Sequence, residues 1–165
     1  MEKVYLCLGG NVGDTRHYLE QTISMIESRI GTALQKSSVY WSEPWGFSAE
    51  QMFLNQIVVV ETALEPEVVL EHCLQIETEL GRTRSGNGYE PRVIDIDIIF
   101  FGSRIIDSPN LKVPHPLMHQ RNFVLKPLCE IAPDFVHPVF KSTVKQLAYD
   151  CGDNGKTGVA DNNQP

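Results

Sequence analysis

The sequence predicts an α+β fold with its elements in the order strand, helix, strand, strand, helix, strand. Three observations predict it. Val4, Leu6 and Leu8 alternate with Tyr5 and Cys7, the period of a strand. Leu19, Ile23, Ile26 and Ile30, and again Val69, Cys73, Ile76 and Leu80, recur at helical spacing. Val93 to Phe101 is apolar apart from two Asp, as in a strand buried on both faces.

The elements follow in chain order. The first strand stops at Gly9-Gly10-Asn11-Val12-Gly13, a tight turn, and Asp14 offers the N-cap of the first helix. Gly31 is a natural stop for that helix. Two β-type stretches come next, Leu34 to Trp41 and Phe53 to Thr62, joined by a loop with two large aromatics, Trp45 and Phe47. Pro66 suits the first turn of the second helix, and Gly81 ends it. Residues 82–92 are polar, carry Gly86 and Gly88, and predict a mobile loop. A Pro-rich passage from Pro109 to Pro116 leads to short helices near Asn122 to Ile131 and Ser142 to Tyr149. The order is the split βαβ pattern, βαββαβ, of a ferredoxin-like sandwich. Residues 1–150 are expected as one domain. Residues 151–165, mostly Gly, Asn, Asp and Lys, are expected as a polar, disordered tail.

Charge and composition narrow the function. The chain has 165 residues, 42% of them hydrophobic, and a formal net charge of −7. That balance opposes binding to nucleic acid or to an anionic membrane surface, which needs a positive face. No apolar run approaches the ~20 residues that span a bilayer, and the opening MEKVYLCLGG is not a signal peptide. Cys7, Cys73, Cys129 and Cys151 form no CxxC pair. They read as reduced cysteines of a cytoplasmic protein rather than zinc ligands. With no exposed apolar stripe in the pattern, a monomer is expected.

Four clusters carry chemistry. In Arg92-Val-Ile-Asp95-Ile-Asp97 the two carboxylates are two apart on a strand and share a face. They sit ~7 Å apart among isoleucines, so something positive must face them. A divalent cation such as Mg²⁺ does so with oxygen ligands and commonly bridges to phosphate, and a pair of Arg or Lys partners does so too. Arg82, Arg84 and Arg92 bracket a loop holding one acid, Glu90. Arginine forks match phosphate oxygens, although they also serve to balance Glu77, Glu79 and Glu90. Val113-Pro114-His115-Pro116 with Arg121 places a donor on a stiff backbone. Phe53-Leu54-Asn55, with Trp45, Phe47 and Phe123, supplies aromatic walls and one amide, a match for a flat heterocycle with an amide-like edge. Gly155-Lys156-Thr157 is not a P-loop, because the glycine needed five positions earlier is Asp150.

Together these residues resemble the 6-hydroxymethyl-7,8-dihydropterin pyrophosphokinase family, from about Tyr5 to about Pro138. The resemblance rests on Leu8 to Asp14, Phe53-Leu54-Asn55, Glu77 with Gly81-Arg82-Thr83-Arg84, Pro91-Arg92 with Asp95 and Asp97, and Val113-Pro114-His115 with Arg121 and Phe123, all in family order. It implies a ferredoxin-like fold with flexible catalytic loops. It implies transfer of the pyrophosphoryl group of ATP to the pterin hydroxymethyl oxygen, with AMP released. ATP and the pterin are the implied partners, and two Mg²⁺ ions on Asp95 and Asp97 the implied cofactors. Carried over position by position, Asn55 bonds the pterin edge while Pro44, Trp45, Phe53 and Phe123 line its slot. Glu77, Arg84, Ile98, His115 and Arg121 contact ATP, and Arg82 and Arg92 serve the transferring group. Ser85, Gly88 and Glu90 depart from the family's more basic loop, and Leu74 from a polar residue near the nucleotide. Those departures leave a second expectation standing, a catalytically weakened nucleotide-binding module of the same fold.

Overall fold

The structure, a computed structural model, describes residues 1–44, 51–83 and 92–162. It is a mixed α/β architecture around one antiparallel sheet. The strands are β1 (Glu2–Gly10), β2 (Thr32–Lys36), β3 (Tyr40–Ser42), β4 (Phe53–Thr62) and β5 (Asp95–Phe101), then β6 (Ile106–Asp107), β7 (Lys112–Val113) and β8 (Thr157–Val159). The helices are α1 (Thr15–Arg29), α2 (Pro66–Glu79), α3 (Asn122–Ile131) and α4 (Val144–Asp150), with a 3-10 turn at Met118–Gln120. The main sheet runs β5-β1-β4-β3-β8, and β2 also pairs with β4. A small hairpin pairs β6 with β7.

Alternation along the strands builds two cores. Val4, Leu6 and Leu8 of β1, with Ile96 and Ile98 of β5, meet Leu19 and Ile26 of α1 and Val69, Cys73 and Ile76 of α2. On the opposite face Tyr5, Cys7, Ile57 and Val59 meet Val124, Leu125 and Leu128 of α3 and Val144 of α4. The sheet is thus covered on both sides, which removes its apolar surface from water.

Local chemistry explains the boundaries. Asp14 caps α1, its Oδ1 accepting from His17 N at 3.2 Å. Pro66 opens α2, and Gly81 takes φ +98° just past it. Gly31 has a different role from the expected stop. A Cβ there would stand 2.1 Å from Glu61 O, so it permits the close approach of β4 rather than a left-handed turn. The expected single strand from Leu34 to Trp41 breaks at Ser37, whose Oγ accepts from Ile57 N at 3.0 Å. Glu130 of α3 ties that break down, accepting from Ser38 N at 2.8 Å and Tyr40 Oη at 2.6 Å. Its partial burial opposes ionisation, but those hydrogen bonds prevail and hold its carboxyl below the usual range.

The tail expected from residue 151 is corrected by strand β8. Thr157–Val159 pair with Ser42–Tyr40, and Ala160 N donates to Val39 O at 2.8 Å. Main-chain pairing needs no apolar side chains, so a composition poor in them concealed it.

Candidate active site

The site lies where the α3 side of the sheet is left open. The register places Asn55, Gly9 and Asp95 side by side across β4, β1 and β5, and Ile57, Cys7 and Asp97 in the next such row. Gly9 is the floor. A Cβ at this position would come within 2.9 Å of Asn55 Oδ1, so a side chain here would push on the Asn55 amide. Asn55 is buried and held, donating from Nδ2 to Ser42 Oγ at 2.8 Å.

Two cavities meet at Asp95 and Asp97. The smaller, with about 500 Å³ of empty space out to its mouth, is lined by Asn55, Phe53, Phe123, Ser42, Glu43 and Cys7, among others. The larger, about 1450 Å³ by the same measure, is lined by Leu70, Leu74, Glu77, Arg82, Asn110 and His115, among others. Both include Arg92, Asp95, Asp97 and Arg121. The two carboxylates therefore stand where a small slot meets a large one.

Their electrostatics differ. Burial alone would raise the Asp95 carboxyl, but the Arg92 and Arg82 guanidiniums outweigh it and hold Asp95 below the usual range. Arg92 Nη1 stands 2.7 Å from Asp95 Oδ2, and Arg82 Nη1 bonds Asp95 Oδ1. Asp97 has weaker compensation. Among the described residues its nearest charged partner is Arg121, Nη1 at 3.9 Å, and the His115 ring stands at 3.8 Å. Burial, and then the charge of Asp95, push Asp97 up to about 7. Its side chain is still 32% exposed, toward the cavities. Cys7, beside Asp97 across β1 and β5, has its thiol pushed well up by burial.

His115 is held by its own backbone turn. Leu117 N donates to Nδ1 at 3.1 Å, so the neutral ring carries its proton on Nε2, which faces Asp97. Burial, then Arg121, lower its pKa to about 4, so it is a neutral donor near pH 7. Glu77 is a brace. Only 2% exposed, it accepts from Ile96 N at 2.8 Å and pairs with Arg82 at 2.8 Å, tying α2 to the edge of β5.

The expected site residues divide as follows. Asn55, Phe53 and Phe123 meet in the smaller cavity, and Glu77, Arg82 and His115 in the larger. Pro44 lines a neighbouring cavity that shares Ser42, Glu43 and Phe123 with the smaller one. Ile98 is in the core against the α1–α2 layer, 5% exposed, and its side chain lines neither cavity. Trp45 and Arg84, with Ser85, Gly88 and Glu90, lie outside the described residues.

Sequence reasoning missed Asn11. Its Oδ1 accepts from Arg92 N at 2.9 Å and its own N donates to Arg92 O at 3.0 Å. Gly10 allows this approach, since a Cβ there would lie 2.3 Å from Val93 O. The Gly-Gly-Asn turn therefore fixes the backbone of Arg92, a long-range contact that no local pattern encodes. Among the described residues no three His, Cys, Asp or Glu gather as a metal site, and no helix is long and apolar enough to cross a membrane.

Comparison with known proteins agrees with this geometry. Residues 5–133 match the family model described as 7,8-dihydro-6-hydroxymethylpterin-pyrophosphokinase (HPPK). The chain is 43% identical over 141 residues to a 2-amino-4-hydroxy-6-hydroxymethyldihydropteridine pyrophosphokinase of Porphyromonas gingivalis, covering 84% of this chain and 95% of that one. A protein of the same name from Bacillus subtilis is 42% identical over 128 residues, covering 77% and 76%. In fold, the chain matches a Plasmodium falciparum HPPK-DHPS crystal structure with pteroate at TM-score 0.75 and 16% identity. That match covers 90% of this chain and 44% of the other, so this chain spans less than half of it. By sequence, and with a fold that agrees, the chain belongs to the 7,8-dihydro-6-hydroxymethylpterin-pyrophosphokinase family.

Proposed function

We propose that this protein transfers the pyrophosphoryl group of ATP to the hydroxymethyl oxygen of 6-hydroxymethyl-7,8-dihydropterin and releases AMP, a step of folate biosynthesis. One observation carries the reading: two cavities of unequal size share Arg92, Asp95, Asp97 and Arg121. The smaller suits a flat heterocycle, with Asn55 on its edge and Phe53 and Phe123 as walls. Pro44 and Trp45 are assigned to the same slot. The larger suits a nucleoside triphosphate, with Glu77, Arg84, Ile98, His115 and Arg121 assigned as its contacts.

The donor set fits a hard divalent cation. Two carboxylates share one face, the closest charged partner of Asp97 among the described residues is Arg121 at 3.9 Å, and triphosphate oxygens and water would complete the shell. Asp95 and Asp97 are assigned as the protein's ligands for two Mg²⁺ ions, which when bound neutralise triphosphate charge. The chain's own residues do the rest. The shared wall brings the hydroxymethyl oxygen to the β-phosphorus, so proximity supplies much of the acceleration. The new oxygen–phosphorus bond forms as the bond from the β-phosphorus to the α,β-bridging oxygen breaks. AMP keeps that oxygen, and the hydroxyl proton leaves to water. Arg82 and Arg92 hold Asp95 in the unliganded chain and turn to the charge that spreads over the phosphoryl oxygens.

We read the fold as ferredoxin-like. With β2 and β3 counted as one broken strand, the strand order and the two crossover helices α1 and α2 match the split βαβ plan. One domain, a monomer and a cytoplasmic location complete the proposal.

Calorimetric titration tests the two-cavity reading. A non-hydrolysable Mg-ATP analogue and the pterin are expected to bind together, one of each per chain. Competition between them would contradict it.

A further inference from the structure

Residues 152–161 do more than extend the sheet. Helix α3 has no side-chain cap from its own N-cap residue, Arg121. Its first N–H is met instead from the far end of the chain. Asp153 Oδ2 accepts from Asn122 N at 2.9 Å, and Asn122 Nδ2 donates to Asp153 O at 2.6 Å. A carboxylate there also complements the helix dipole. Asp153 Oδ1 is fixed in turn by Gly155 N at 2.8 Å. The capped residue stands between Arg121 and Phe123, whose ring lies 5.6 Å from the Arg121 guanidinium.

The same segment holds the opposite wall of the smaller cavity. Lys156 and Glu43 exchange bonds, Glu43 N to Lys156 O at 3.1 Å and Lys156 N to Glu43 Oε2 at 3.0 Å. Thr157 Oγ1 donates to Trp41 O at 2.6 Å, beside Ser42, the partner of the Asn55 amide. Arg16 of α1 anchors the far end, Nη2 donating to Asp161 O at 2.6 Å. The larger cavity shares Arg121 with the slot but has supports of its own, in Glu77 against β5 and His115 against the chain at Leu117.

We infer that residues 152–161 form a strap that positions the two walls of the heterocycle slot, with Asp153 as its positioning residue. The inference rests on the assignment of that slot to the pterin. In Asp153→Ala the pterin KM is expected to rise about tenfold, as expected for loss of one cap and its alignment. The Mg-ATP KM stays within about twofold. Asp153→Asn, which keeps an acceptor for Asn122 N, recovers most of the loss. Equal rises in both KM values, or no change in either, would overturn the strap. If the unmodified chain turns over no pterin, the function reading fails separately. Hydrogen exchange then judges the strap: faster exchange in Asp153→Ala confined to residues 40–43 and 122–124 supports it, and unchanged exchange there overturns it.

Discussion

Asp97→Asn is expected to lower turnover at least about 1000-fold, a loss of roughly 4 kcal/mol of transition-state stabilisation, without lowering the melting temperature of the unliganded protein. The two halves of that expectation have one cause. Among the described residues the Asp97 carboxylate has no charged partner closer than Arg121 at 3.9 Å, and it stands beside the charge of Asp95. Such a group contributes little to the fold, and asparagine has its shape without its charge. On the proposed function, what the charge contributes is a ligand for a cation at the meeting point of the two cavities. Unimpaired turnover in this variant would defeat the metal assignment. A large fall in melting temperature would show instead that Asp97 is a structural residue.

The second large effect is expected from Arg92→Ala, a fall in kcat of about 100- to 1000-fold with a much smaller change in the KM for ATP. Arg92 lines both cavities, so its guanidinium is placed to follow the transferring group from one to the other. Its backbone is already fixed by Asn11, and Arg82 still pairs with Asp95 in the variant, so the fold and Asp95 remain supported. Arg92→Lys is expected to restore only part of the activity, because an ammonium lacks the planar fork. A variant in which the KM for ATP rises and kcat holds would make Arg92 a simple binding residue.

Much of this site was legible in the sequence because its groups are local to single elements. Asp95 and Asp97 fall on one face by the strand period alone, and Asn55 falls two residues from Phe53 for the same reason. Helices α1 and α2 were legible in their stripes and in Asp14 and Pro66. The rest depends on contacts distant in sequence. Glu77 was assigned to a nucleotide by resemblance, and its bonds to Ile96 N and Arg82 appear only once α2 is docked on β5. Asn11 serves Arg92 across eighty-one residues. Ile98 was assigned to ATP, but strand alternation turns its side chain into the core. The pairing of residues 152–161 is illegible in the sequence because Gly and Asn bury little, whereas its hold is made by main-chain bonds and one carboxylate.

On the proposed function a pyrophosphoryl group, not a single phosphoryl group, crosses between the two cavities at Asp95 and Asp97. Phosphorus NMR of the products, after mixing the protein with Mg-ATP and 6-hydroxymethyl-7,8-dihydropterin, tests it most directly. AMP and a pterin diphosphate in equal amounts are the predicted result. ADP and a pterin monophosphate would contradict it, since the β-phosphorus would then have stayed with the nucleotide.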